Sequence, residues 1–249
     1  MNKIFEGKKA LVIGGTGGIG LEIAKRLLFR GAEICVHGAH KKNPAQIFGL
    51  PAESELEKKI ELIEYDFKNH HFEDLKDSVL LKKAESCDIL CVCYGPFVQK
   101  SLDEMTLSDW QTVSLLDYAL PGVFVSAALK NMRQKNWGRI LLFGGTGTDH
   151  RTEYRTNAAY AGAKCGVGIL VQSTAAFYAD SGITCNALLP GFTKTEYTAA
   201  TDALLAKKMP LGTLVSSASV AESGMFLLEN PDLNGVLLRV DRGWSPNAR

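Results

Sequence analysis

The sequence predicts a single α/β domain: a doubly wound parallel sheet of seven strands with helices on both faces. Three observations carry that expectation. Short apolar stretches of strand length alternate with helix-period stretches along the whole chain. A glycine-rich loop joins the first such strand to the first helix. The 249 residues, 46% of them hydrophobic, suit one large core, so residues 1–249 read as one domain.

Taken in order, residues 8–13 form a buried strand, followed by Gly14-Gly15-Thr16-Gly17-Gly18-Ile19-Gly20. A helix over residues 21–30 comes next and is closed by Gly31. Residues 32–37 are the second strand. The connection from His37 to Ser54 is long and polar, punctuated by Pro44 and Pro51. A short helix is expected over residues 53–60, a third strand over 62–66 and an amphipathic helix over 72–84. Residues 87–94 make a fourth, very apolar strand that ends at Gly95-Pro96. Thr106, with Asp109 three residues on, starts a helix in capping-box fashion. That helix should run to about Asn131, with a kink at Pro121-Gly122. Residues 138–143 are the fifth strand, 144–156 a polar loop, 157–179 a helix, and 183–189 the sixth strand, stopped by Pro190-Gly191. After residues 192–217 come a last helix over 220–228 and a seventh strand over 235–240.

Composition excludes several classes. A formal net charge of +1 leaves no broad basic surface for nucleic acid. No apolar run approaches the ~20 residues a membrane helix needs. The first residues lead into a strand without a signal-peptide core. The six cysteines mostly fall in apolar segments and form no Cys-x-x-Cys pair, which reads as reduced, buried thiols in a cytoplasmic protein. No histidine stands near Cys91 and Cys93 in sequence, so no metal site is expected.

Two motifs carry chemistry. Five glycines within residues 14–20 let the backbone approach a diphosphate, and the helix that follows offers N–H groups and a favourable dipole. Gly14, Thr16, Gly17, Gly18 and Ile19 are therefore candidate cofactor residues. Tyr160 and Lys164 stand four apart on a helix, hence on one face. A cation beside a phenol favours the ionised form, which makes the phenol a usable general acid or base.

These residues resemble the short-chain dehydrogenase/reductase family over nearly the whole chain. The match includes Asp66-Phe67, Trp110, Asn186-Ala187 leading into Pro190-Gly191-Phe192-Thr193-Lys194-Thr195, and Val240-Asp241-Arg242-Gly243-Trp244. Within the family the chain is most similar to the bacterial 3-oxoacyl-carrier-protein reductases. The resemblance implies a Rossmann fold and hydride transfer between a nicotinamide and a carbonyl carbon. It gives Tyr160 the proton transfer, and Lys164 the nicotinamide ribose and a lowering of the tyrosine pKa. It places Asp66, Phe67, Tyr94, Gly95, Pro190, Gly191 and Thr193 along the cofactor. Residues 192–217 become a substrate lid, with Tyr197 and Leu204 as an apolar lining. A homodimer or tetramer is implied as well, with Trp244-Ser245-Pro246 in such a contact.

Two positions depart from the family pattern. The place of the serine that hydrogen-bonds the carbonyl oxygen falls on Gly145, with Thr146 adjacent and Thr148 further along as replacement hydroxyls. The loop from there to Tyr160 is also longer than in the family. The place of the water-anchoring asparagine falls on Asp117, which accepts from a water or from Lys164 and partly cancels the lysine's effect on Tyr160. The usual Asn-Asn-Ala-Gly after the fourth strand is Val92-Cys93-Tyr94-Gly95. No acid ends the second strand, while His40, Lys41 and Lys42 offer cations to a 2′-phosphate. NADP(H) is therefore preferred, and NAD(H) stays open. Arg151 and Arg155 can meet an anionic substrate group or an acidic carrier protein.

The expected activity is NADPH-dependent reduction of a carbonyl, a 3-oxoacyl thioester among the candidates, with Tyr160, Lys164, Thr146 and Asp117 at the reacting centre. Two alternatives stay open. One is a cofactor-binding relative with weak or lost catalysis and a sensor or assembly role. The other is a dehydrogenase acting on a sugar or polyol. The expected partners are a small-molecule or carrier-bound substrate and further copies of the chain, not nucleic acid or a membrane.

Overall fold

The first strand faces two cores in turn. In β1 (Lys9–Ile13), Leu11 and Ile13 join one buried cluster while Ala10 and Val12 join another. A strand with a period of two and no polar side must lie in a sheet covered on both faces. The computed structural model, which describes residues 3–40, 42–51, 54–151 and 153–244, shows that sheet.

The strands after β1 are β2 (Glu33–Gly38), β3 (Ile60–Glu64), β4 (Ile89–Val92), β5 (Gly138–Phe143) and β6 (Ile183–Pro190). A small pair follows, β7 (Thr193–Lys194) and β8 (Val215–Ser216), and then β9 (Leu237–Val240). Seven of them form one parallel sheet in the order β3-β2-β1-β4-β5-β6-β9. The helices are α1 (Gly18–Phe29), α2 (Pro44–Phe48), α3 (Val79–Ala84), α4 (Leu107–Val113), α5 (Leu120–Lys135), α6 (Ala158–Tyr178), α7 (Asp202–Ala206) and α8 (Ser217–Glu229). Helices α1 and α8 pack together over Ala10 and Val12, whereas α3, α5 and α6 cover the face of Leu11 and Ile13. The order reverses between β1 and β4, so the crevice for a ligand opens at the carboxyl ends of those two strands.

The departures from the sequence expectation have local causes. Of the expected helix over 53–60, residue 53 lies outside the described residues, and the rest holds one 3-10 turn, Glu57–Lys59, ahead of a third strand that starts at Ile60. The amphipathic stretch 72–84 divides at Ser78, whose hydroxyl accepts the Leu81 N–H at 3.2 Å and starts α3 afresh. The bend expected at Pro121-Gly122 appears earlier, as a π-helical stretch over Ser114–Ala119 between α4 and α5. There the Leu120 N–H reaches back five residues to the Leu115 carbonyl. Pro121 has no N–H with which to close the ordinary turn behind it. The whole helix Leu107–Lys135 is long and apolar enough to cross a membrane by length and composition, which corrects the expectation of no such run. Its Phe124, Ala128 and Met132 are buried in the core. Residues 192–217 carry β7, α7 and β8.

Candidate active site

The chain leaves β1 at Gly14 with φ of 75°, a left-handed conformation that favours glycine. A Cβ there would stand 3.1 Å from Tyr94 Cβ. His37, the buried residue before the last of β2, fixes this turn. Its Nδ1 accepts the Gly14 N–H at 3.0 Å, so its Nε2 carries the proton and donates to the Tyr65 carbonyl at 2.7 Å. Burial lowers the pKa of this ring, which keeps it neutral. His37, Phe67 and Tyr94 form an aromatic cluster, with His37–Phe67 centroids 4.6 Å apart and Phe67–Tyr94 centroids 5.0 Å apart. Phe67 and Tyr94 thus stand beside the glycine loop. Asp66 is engaged locally, accepting the Lys68 N–H at 3.0 Å and the Asn69 side-chain amide at 2.7 Å.

At the start of α1 the Gly18 N–H donates to both carboxylate oxygens of Glu196, at 3.0 and 3.1 Å. A Cβ on Gly17 would lie 2.1 Å from Glu196 Oε1 and 2.5 Å from the Tyr197 hydroxyl. The cradle therefore already holds an anion, and it fits the diphosphate oxygens of a dinucleotide for the same reason. Glu196 is a residue the sequence reading missed. Its only local signal is its place directly after Thr195. Behind the cradle, Ile19 packs onto the core. Pro190 ends β6, and Gly191 passes so close to Asp241 that a Cβ would stand 3.0 Å from its Cα. The buried Thr193 donates its hydroxyl to the Gly191 carbonyl at 3.0 Å.

The far side of the loop is basic. Lys42 Nζ donates to the Thr16 carbonyl at 2.8 Å. Thr16 Oγ1 fills the space a Gly38 side chain would need, 2.2 Å from the Cβ position, so the end of β2 presents no acid. His40 is exposed, and Lys41 lies outside the described residues.

Tyr160 and Lys164 project from α6. Lys164 Nζ lies 3.0 Å from Asp117 Oδ1, with the two side chains 5% and 0% exposed. Gly95 sits against this pair: a Cβ there would come 2.3 Å from Asp117 Oδ1 and 2.9 Å from Lys164 Nζ. Among the described residues neither Asp117 carboxylate oxygen has a hydrogen-bond partner, so Oδ1 meets Lys164 as an ion pair. Burial pushes the Asp117 carboxyl up to about 6 in spite of Lys164. The ammonium is 5.6 Å from the Tyr160 ring centroid, and Phe97 meets that ring edge-on at 4.9 Å. The expectation that Lys164 lowers the Tyr160 pKa is corrected. Burial first, then the charge of Asp117, raises it above its ordinary value. With the lysine paired to a carboxylate, no net positive charge faces the phenol, which holds its proton at neutral pH.

Gly145 is the position beside that phenol, since a Cβ there would lie 3.2 Å from Tyr160 Cε1 and 3.6 Å from its hydroxyl. The two threonines named as replacements are committed elsewhere. The Thr146 hydroxyl donates to the Asp241 carboxylate, a stronger acceptor than a neutral carbonyl. Thr148 donates to the Gly145 carbonyl at 2.8 Å. The Thr146 hydroxyl named for the carbonyl is thus engaged by Asp241 in this structure. Arg151 packs near Gly147, and Arg155 is exposed. Tyr197 and Leu204 are both exposed, so neither forms a buried lining. Among the described residues no group of three His, Cys, Asp or Glu side chains is placed to hold a metal ion.

Comparison with known proteins finds a family model and relatives that cover most of the chain. Residues 8–205 match the family model for short chain dehydrogenase. The chain is 26% identical to a D-beta-hydroxybutyrate dehydrogenase of Cupriavidus necator, over 97% of this chain and 99% of that one. It is 29% identical to a 3-oxoacyl-(acyl-carrier-protein) reductase FabG of Aquifex aeolicus, over 90% of each. A solved short chain dehydrogenase/reductase family protein superposes with a TM-score of 0.82 at 25% identity, covering 96% of this chain and 97% of that one.

The geometry yields two predictions. Because Glu196 occupies the anion cradle, Glu196→Gln should tighten binding of a nicotinamide dinucleotide by roughly tenfold in a fluorescence titration, the worth of one charge-assisted hydrogen bond. Unchanged affinity would mean that the carboxylate does not compete. Asp117 has a folded pKa above its unfolded value, so its contribution favours folding in acid and is lost as pH rises from about 4 through about 6. Urea unfolding of Asp117→Asn and the parent should therefore diverge across that window, with the difference moving in favour of the variant by up to about 3 kcal/mol. Parallel profiles would show that Asp117 is ionised throughout.

Proposed function

The chain belongs to the short-chain dehydrogenase family, and on that premise we propose that it reduces a ketone carbonyl to an alcohol with NADPH. The geometry that carries this reading is Tyr160 on α6 beside the buried Lys164–Asp117 ion pair, where burial and the charge of Asp117 raise the phenol's pKa. The chemistry supplied by a bound reduced nicotinamide is a hydride to the carbonyl carbon. The chain's own residues do the rest. Gly17, Gly18 and the N-terminus of α1 hold the diphosphate, and Lys164 holds the nicotinamide ribose. Tyr160 gives its proton to the carbonyl oxygen as the bonding pair moves there. A phenol that keeps its proton through neutral pH is ready to donate, which favours reduction. Oxidation of an alcohol needs the phenolate, which a raised pKa confines to alkaline solution.

NADPH over NADH is supported by Lys42 at the loop and by the missing acid at the end of β2. A 3-oxoacyl substrate is supported by the relatives, since both names place the reacting oxygen at the third carbon of an acyl chain. Assembly with further copies of the chain is supported by an exposed apolar face: Leu107, Trp110, Leu115 and Tyr118 on the long helix, with Ile169 and Phe177 on α6. The unpaired state of all six cysteines suits a reducing, cytoplasmic setting. The reading of a binding protein with faded catalysis draws on Gly145 and on the engaged hydroxyls of Thr146 and Thr148.

One assay separates the two. NADPH oxidation with a panel of ketones that includes a 3-oxoacyl thioester should exceed the rate of Tyr160→Phe by at least ~10²-fold. Lys42→Ala should raise the KM for NADPH and leave that for NADH unchanged. Tight NADPH binding with no turnover above Tyr160→Phe would sink the reductase reading.

A further inference from the structure

We infer that Tyr154 is a catalytic residue, whose hydroxyl gives the substrate's carbonyl oxygen the hydrogen bond that Gly145 cannot give. The inference rests on the reductase reading above. As hydride adds to the carbonyl carbon, negative charge gathers on the oxygen, and a preorganised second donor lowers the barrier. Tyr160 is the first donor and parts with its proton. The second keeps its own.

Among the described residues of the turn over 145–147 and the hydroxyl it seats, one donor is uncommitted. Thr146 is bonded to Asp241, Thr148 to the Gly145 carbonyl, and Gly145 has no side chain. The Tyr154 hydroxyl is buried, yet among the described residues it has no hydrogen-bond partner. Buried hydroxyls nearly always have one, and an orphan calls for a group that arrives later.

Its position suits that role. One glycine turn seats both phenols: the Cβ position of Gly145 is 3.6 Å from the Tyr160 hydroxyl, and that of Gly147 is 3.2 Å from the Tyr154 hydroxyl. The two rings are close enough for Tyr154 to contribute to the raised pKa of Tyr160. Tyr154 itself is pushed up to about 12, by burial and by the nearby Cys165 and Asp149, against the pull of Arg151. It is a donor at every working pH and is not a second acid. The longer loop ahead of Tyr160 is the segment that carries it.

The test is Tyr154→Phe, which removes one oxygen atom. With a 3-oxobutanoyl N-acetylcysteamine thioester, kcat/KM should fall by about 10²-fold, as for loss of one oxyanion donor. NADPH affinity should not change, and the melting temperature should hold or rise, because a buried unpaired hydroxyl is being deleted. Adding Gly145→Ser to Tyr154→Phe should recover most of the loss, since it places a hydroxyl beside Tyr160 by the other route.

A second readout needs no turnover. In Tyr160→Phe, the infrared stretch of the same thioester carrying a 13C label at its ketone carbon should lie below its value in water. The shift should vanish in Tyr160→Phe/Tyr154→Phe. An unchanged kcat/KM, an unshifted stretch, or a loss that tracks the melting temperature and is not recovered by Gly145→Ser would overturn the inference. Absence of turnover in the parent chain would overturn the reductase reading instead, and the ketone stretch would still decide on Tyr154.

Discussion

The site depends on one buried ion pair, Lys164 with Asp117. Each charge pays several kcal/mol to leave water, and their attraction offsets this only in good geometry with the remaining lone pairs satisfied. Here the two charges are close, at 3.0 Å, but among the described residues neither carboxylate oxygen has a hydrogen-bond partner. The pair constrains its surroundings accordingly. The π-helical stretch ahead of Pro121 places Asp117 there, and Gly95 has room for no side chain against the two charges. Local distortion of a helix at such a point fits the general tendency of π-stretches to mark working sites. The same pairing sets the state of Tyr160. A lysine alone would draw the phenol toward ionisation, whereas a lysine balanced by a carboxylate leaves burial to decide, and burial keeps the proton on.

The glycine loop is governed by a different constraint, the room taken by neighbouring atoms. Gly14 is pressed by Tyr94, Gly20 by the Gly14 carbonyl, and Gly17 by Glu196 and Tyr197. The last contact links two functions of the fold. The helix N-terminus attracts an anion, and the segment after β7 supplies one from the chain itself. Cofactor binding and the position of residues 192–217 are thereby coupled through a single backbone N–H.

Much of the architecture was legible in the sequence because it rests on local pattern. Seven strands, the glycine loop and the helix of Tyr160 and Lys164 follow from periodicity, from Gly and Pro punctuation and from i,i+4 spacing. The division of the 72–84 stretch at Ser78 was also a local signal, since serine is a strong helix cap. What was not legible joins residues far apart in the chain. Glu196 meets Gly18 across 178 positions, and Thr146 meets Asp241 across 95. No pattern of composition or spacing specifies such a side-chain partner. The sign of the effect on Tyr160 was missed for a related reason. The sequence placed Asp117 against the lysine, but its complete burial, which weights the balance, comes from the packed helices.

Central to this account is a Tyr160 that stays a neutral phenol because its lysine is already paired. Direct titration tests it: tyrosine labelled at the Cζ carbon, carbon-13 resonances followed with pH, and Tyr160 assigned by its loss in Tyr160→Phe. The account predicts that this resonance does not move up to about pH 10, the ordinary midpoint for a phenol. A transition between about pH 6 and 8 would contradict it, and would mean that Lys164 still drives ionisation in spite of Asp117.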